Sequence, residues 1–324
     1  MTSNDPRDLD GKRLQQAMQT LGRDPVLRAR LVALLRESEA QIACEGSVRD
    51  DVTGPVIDAL HLDTDQYEKV LDDGTRFQFL YRTKIARDFL LSESEHPTHV
   101  WEPQTTKLLL ELGRDLQGDV LVGGAYFGDQ AVLVARRLAG RGLRVHCFEP
   151  NPQQATMLQR NIDINALSNV VVNVAGLWCR SGERMRLDGF DSFANMVTAQ
   201  DGGGFETVAM DDYAERHGRR IGLIQLDIEG AELAALQGAQ QVLARDRPHV
   251  VFELHRTYVD WSNGLRATPL CRLLLDLGYA VYAVRDINSH REMPGQPIEL
   301  VPLDSVYLEL SLIHISEPTR PLYI

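Results

Sequence analysis

The chain has 324 residues, 44% of them apolar, and a formal net charge of −12 at pH 7. That acidity argues against a nucleic-acid backbone as partner, which needs basic patches to displace counterions, and against docking on an anionic membrane surface. No apolar run is long enough to span a bilayer.

The N-terminal MTSNDPRDLDGKRL lacks an apolar signal core. Cys44, Cys147, Cys179 and Cys271 are scattered with no C-x-x-C pair and read as reduced thiols, so the expected location is the cytoplasm. Residues 10–46 have helical spacing: Leu14, Met18 and Leu21 on one face, then Leu27, Leu31, Leu34 and Leu35 after Asp24-Pro25 restarts the helix. A helical appendage is predicted over 1–50 and a strand and helix lead-in over 51–118. Within the lead-in, Tyr67–Leu91 reads as strands, with Asp73-Gly74 turning between YEKVL and RFQFLYR. Trp101–Leu112 reads as a helix with Thr106 near its start.

From Asp119 to Glu309 strands and helices alternate. DVLVGG, RVHCFEP, NVVVNVAGLW, IGLIQLDI and HVVFELH are apolar strands, and GYAVYAVRD and SVYLE follow as late ones. DQAVLVARRLAG is a helix ending in glycine. NPQQATMLQRNIDIN is a helix with Asn151 as N-cap and Pro152 at the first helical position. A single helix is predicted over Ala231–Ala244. The pattern is that of an α/β, Rossmann-like fold: a mostly parallel, doubly wound sheet carrying a helical N-terminal appendage. The last stretch, LSLIHISEPTR, looks like the in-frame translation of a transposon-end sequencing adapter, so 310–324 is expected to be non-native and to stand outside the fold.

The first strand runs into VGGAYFG. No Gly-Lys-Ser/Thr follows, which excludes a P-loop. The G-x-G-x-x-G spacing of dinucleotide sites also fails. A looser turn suits a ligand without a pyrophosphate, and S-adenosylmethionine is such a ligand. Its candidate contacts in the turn are Gly123, Gly124, Ala125, Tyr126 and Gly128. Glu149, followed by Pro150, ends the second strand where a carboxylate can accept from both hydroxyls of a ribose. The sulfonium and amino groups of that cofactor suit an acidic site.

A second acidic block stands at LDIEGAE. Asp227 and Glu229 share one side of an extended chain, and Glu232 falls in the first turn of the next helix. Glu253 and His255 repeat the alternate spacing at the end of the fifth strand. If strands four and five are neighbours, these side chains crowd one mouth of the sheet, with Asp227 facing the cofactor. No ligand spacing is diagnostic, so no metal is expected. A hydroxyl acceptor needs a base, and Asp227 and His255 are the candidates. His255 is favoured because its reference pKa lies near neutrality.

VGGAYFG, FEPNP, NIDIN, LDIEGAELAALQGAQ and RPHVVFELH, in that order, resemble the FkbM family of S-adenosylmethionine-dependent methyltransferases over roughly 98–284. Val122 and Tyr126 stand where the family pattern has Asp and Asn. The resemblance implies a class I methyltransferase fold over 119–309 and O-methylation of a small molecule, often a sugar or secondary metabolite. The partner expected is a hydroxylated small-molecule acceptor. The Asp/Asn-Pro-Pro-aromatic block of amino-methylating enzymes is absent, which disfavours nucleic-acid bases. Two other readings stand beside this one: hydride transfer with NAD on the same kind of sheet, and a non-catalytic cofactor-binding protein. Trp178–Asp212 is the expected acceptor-facing insertion. Its DSFANM suits either a sugar or a plain turn.

Overall fold

The computed structural model describes residues 11–44, 47–82, 84–92, 100–189, 194–199, 203–255, 257–284, 298–303 and 316–318. The chain divides into two compact units, residues 1–69 with 79–92, and residues 70–78 with 93–324.

The smaller unit opens with α1 (Gly11–Gly22) and α2 (Pro25–Glu39). The Asp24 side chain caps α2 by accepting from the amides of Val26 and Leu27, with Pro25 at the first helical position. Leu14, Leu21 and Leu34, on the helix faces read from the sequence, are exposed. A π-helical turn over Val48–Thr53 leads into α3 (Gly54–Asp58). The strands β1 (Gln66–Val70) and β2 (Arg76–Leu80) form a two-stranded sheet, and α4 (Lys84–Ser92) follows. The strand reading of Tyr67–Leu91 thus stops at Leu80. Beyond it, Ala86 and Phe89 are three residues apart and both fully buried, a helical spacing. Arg87 pairs with Asp58 at 2.6 Å.

Apart from residues 70–78, the larger unit begins with α5 (Pro103–Leu112), β3 (Asp119–Gly123), α6 (Ala131–Leu138), β4 (Val145–Phe148), α7 (Pro152–Ile164) and β5 (Val170–Asn173). The chain then leaves for a separate four-stranded sheet of β6 (Gly176–Leu177), β7 (Arg184–Asp188), β8 (Asn195–Thr198) and β9 (Phe205–Val208), ordered β6-β9-β7-β8. It returns through α8 (Met210–His217) to β10 (Ile221–Leu226), α9 (Glu232–Gln237), α10 (Gln240–Asp246) and β11 (His249–Phe252). The remaining elements are α11 (Pro269–Asp276), β12 (Tyr279–Val284), β13 (Leu300–Pro302) and β14 (Ser316–Pro318).

The main sheet has the order β13-β12-β14-β11-β10-β3-β4-β5. Its β5, β4, β3, β10 and β11 are parallel neighbours, while β13 and β14 pair antiparallel. Alternate residues feed two cores. Leu121, Ile224, Leu226, Val250 and Phe252 pack on one face, and Val120, Val122, Leu223 and Val251 on the other with Leu108 and Leu109 of α5. This is the doubly wound α/β architecture expected of a class I methyltransferase. No helix among the described residues is long and apolar enough to cross a membrane.

Two expectations are corrected. The helix predicted over Ala231–Ala244 is two helices broken at Gly238, whose missing side chain makes room for the backbone of Trp178: a Cβ there would lie 2.3 Å from that carbonyl oxygen. The Gly238 carbonyl also accepts from the Asp211 amide at 2.8 Å. In the tail, Ser316–Pro318 does not stand outside the fold. It pairs antiparallel with β11 and β12 and occupies the place between them. The late strand SVYLE lies outside the described residues.

NIDIN acquires a structural reason. Asn161, fully buried, bonds the amide and carbonyl of Gln78 at 2.7 and 2.9 Å and the Phe127 carbonyl at 2.7 Å. One helical turn on, Asn165 does the same for Arg76 at 3.0 and 2.7 Å. Two side-chain amides at i and i+4 thereby satisfy a strand edge as a neighbouring strand would.

Candidate active site

The glycine turn sits at the carboxyl end of β3, the middle of the parallel strands. Gly124 has φ +75° and Gly128 φ +91°, both left-handed. A Cβ on Gly124 would fall 1.7 Å from the Asp227 carbonyl oxygen, and one on Gly128 would meet Leu158 at 2.6 Å. The amides of Gly124 and Ala125 donate to the Phe148 carbonyl at 3.1 and 3.2 Å, and Gly128 donates to Ala125 at 2.8 Å. Tyr126 is left-handed without being glycine, at φ +45°. Asn tolerates that region better than Tyr does. Val122 is buried in the apolar core and brings no charge to the turn.

Glu149 lies beside this turn as expected, but it also holds the turn's shape. Its Oε2 accepts from the Tyr126 amide and its Oε1 from the Asn151 amide, both at 2.9 Å. Pro150, half-buried, leads into Asn151, which caps α7 by accepting from the Gln153 amide.

On the other side of the turn, β10 and β11 are neighbours, so their ends meet as expected. Asp227 and Glu253 are hydrogen-bonded to each other, and burial raises both carboxyls above their ordinary range. Glu229, left-handed at φ +51°, bonds the Tyr258 hydroxyl and is pushed up to about 7 by burial and by Asp227. Asp227, Glu229 and Glu253 offer oxygens within 4.8 Å of one another, a donor set that could hold a divalent cation although no sequence spacing announces it. Glu232 is spent locally: its Oε1 accepts from the amides of Ile228 at 2.9 Å and Gly230 at 3.3 Å.

His255 stands at the same mouth, close enough to Asp227 to act on its charge. Its Nδ1 accepts from the Thr257 amide at 3.2 Å, which places the proton of the neutral ring on Nε2. The nitrogen lone pair that a base needs is therefore already engaged. In that tautomer Nε2 is a donor.

Sequence reasoning missed two acids that join this cluster. Glu102, at the start of α5, is left-handed at φ +43° and makes no capping bond to its helix. Burial, Asp227 and Asp129 raise its carboxyl well above the ordinary range, while Thr105 and Gln130 hydrogen-bond it. Asp129, directly after the last glycine of the turn, is buried and pushed up to about 7 by burial and Asp227. An acid immediately past a cofactor turn and a Glu-Pro pair opening the preceding helix were the available signals. Among the described residues, no Lys or Arg pairs with Glu102, Asp129, Asp227, Glu229 or Glu253.

Residues 123–281 match the family model for the methyltransferase FkbM domain. The chain carries an FkbM domain. That domain is of the S-adenosylmethionine-dependent methyltransferase kind, and the glycine turn, Asp227, Glu229 and Glu253 lie within the matched residues. Among solved structures, the methyltransferase FkbM from Methylobacillus flagellatus is 24% identical with a TM-score of 0.30, over 42% of this chain and 32% of that one. The tRNA (uracil-54, C5)-methyltransferase of Pyrococcus abyssi, in complex with S-adenosyl-L-homocysteine, is 15% identical with a TM-score of 0.36, over 78% and 44%. The SAM-dependent methyltransferase of Agrobacterium tumefaciens is 11% identical with a TM-score of 0.43, over 78% and 70%. The first two matches thus span less than half of those proteins' own length. No curated protein sequence matches the chain.

Proposed function

We propose that the protein transfers the methyl group of S-adenosylmethionine to a hydroxyl of a small acceptor, a sugar or a secondary metabolite. The observation that carries this reading is the hydrogen-bonded Asp227–Glu253 pair at the ends of β10 and β11, beside the glycine turn. Methyl transfer is an in-line displacement, and alignment of acceptor oxygen, methyl carbon and sulfur in a dry pocket supplies much of the rate. The acceptor's proton must leave at or near the transition state. Asp227 takes it. Burial makes Asp227 a stronger base than a solvated carboxylate, and the protonated Glu253 donates to it and holds its orientation. His255, donating through Nε2, positions the acceptor.

The small acceptor is supported by charge. Among the described residues the mouth is lined by carboxylates with no cationic side chain paired to them, and the whole chain is acidic. Both repel a phosphodiester backbone.

Single-turnover measurements on Asp227→Asn and His255→Ala with labelled cofactor and a panel of hydroxylated acceptors test this assignment. Asp227→Asn should lose about a hundred- to ten-thousandfold in rate, whereas His255→Ala should lose less than about tenfold. The reverse pattern would return the base to His255. Cofactor binding without turnover on any acceptor would leave a non-catalytic binding protein.

A further inference from the structure

S-adenosylmethionine carries positive charge at its sulfonium and at its α-ammonium, so the question is where each is received. Glu149 fixes the ribose side of the turn at β4. The remainder of the cofactor must therefore run across Gly124 toward β10, whose Asp227 carbonyl touches that glycine. There carboxylates gather without a cationic partner among the described residues. Glu102 and Asp129 reach the place from the starts of α5 and α6. Gln225, on the same face of β10 as Asp227, donates its amide nitrogen to the side-chain oxygen of Gln130, which in turn bonds Glu102. This relay leaves the Gln225 Oε1 buried with nothing donating to it, on a side chain only 6% exposed. A buried acceptor of this kind costs free energy until a donor arrives.

We propose that Glu102, Asp129 and Gln225 form the subsite for the α-ammonium of S-adenosylmethionine. An ammonium brings three N–H donors and one positive charge, which matches two carboxylates and one amide oxygen. Val122 leaves the end of β3 uncharged, and the two acids supply the charge from the neighbouring helix starts instead. The sulfonium then lies nearer Asp227, at the mouth where the acceptor enters. The inference rests on the cofactor assignment and not on the identity of the acceptor or the base.

The test compares two ligands by calorimetry. S-adenosyl-L-homocysteine has the amino-acid end, and 5′-methylthioadenosine lacks it while keeping the adenosine and sulfur. Glu102→Gln and Asp129→Asn should each weaken S-adenosyl-L-homocysteine about ten- to a hundredfold. They should leave 5′-methylthioadenosine within about twofold of the unaltered protein. Retained binding of 5′-methylthioadenosine also reports an intact fold, and if one variant fails to fold the other decides. Unchanged affinity for S-adenosyl-L-homocysteine overturns the proposal, as does equal weakening of both ligands. It is also overturned if Mg²⁺ or Mn²⁺ alone binds the EDTA-treated protein and Glu102→Gln abolishes only that binding.

Discussion

At the scale of single residues, the turn is governed by contacts with almost no slack. Gly124 lies against the Asp227 carbonyl in the middle of the sheet, so Gly124→Val must push β3 and β10 apart. We expect a cost of about 1–3 kcal/mol, seen as a fall of roughly 2–10 °C in melting temperature together with loss of cofactor binding. A variant that melts normally and binds normally would show the contact to be soft. Tyr126 poses the opposite case. Its left-handed backbone favours Tyr126→Asn, while the ring, packed against Phe127 at 4.9 Å, opposes it. The ring is 8% exposed, so its lost burial, about 1.5–3 kcal/mol, outweighs the relief of an unfavourable φ, and the Asn variant should melt lower. At the far end of β3, Asp119 accepts from the Arg144 amide at 2.9 Å and from the Arg219 guanidinium at 2.9 Å, and bonds His146. These partners outweigh its burial and hold its carboxyl below the ordinary range. Its stabilising effect is therefore present above the unfolded pKa of about 4 and lost as the pH falls through the lower folded value. Asp119→Asn should flatten that acid limb of a stability profile followed by circular dichroism.

Among the elements, what could be read from the sequence was what repeats. Apolar strands alternating with helices gave the doubly wound sheet, because period-2 and period-3.6 burial leave their marks on every turn of the chain. Asn151-Pro152 and Asp24-Pro25 marked helix starts because capping is local chemistry. The break at Gly238 was not legible, since its reason is the Trp178 backbone some sixty residues earlier in the chain. Glu102 was illegible for a related reason: it enters the cluster through a left-handed residue before a proline, and only the packing of α5 over the sheet brings it there. The tail shows the same limit from another side. Its resemblance to adapter sequence says nothing about pairing, yet Ser316–Pro318 fills the gap between β11 and β12. Deleting residues 310–324 should leave those two strands without their shared partner and lower the melting temperature. An unchanged melting temperature would show that the segment adds nothing to the sheet.

For the whole molecule, the buried acids set a pH dependence with two opposing limbs. Asp129, Glu229 and Glu232 are each pushed up to about 7 in the folded state, so folding holds protons that the unfolded chain releases near pH 4. Their cost is absent below about pH 4 and complete above about pH 7. Asp119 contributes in the other direction at low pH. On these groups the ligand-free protein should therefore be most stable near about pH 4 and lose stability steadily toward pH 7, measured as melting temperature across a buffer series. S-adenosylmethionine, bringing positive charge to Glu102 and Asp129, should raise the melting temperature more at pH 8 than at pH 5.5. A carboxylate pocket that receives a cationic ligand would also couple the protein's lifetime to its cofactor. A ligand that binds only the folded state lowers the open population in proportion to its concentration over Kd, and proteases act on that open population. On the proposed assignment the chain should open more often when the cofactor is scarce, so limited proteolysis should slow as S-adenosylmethionine is added.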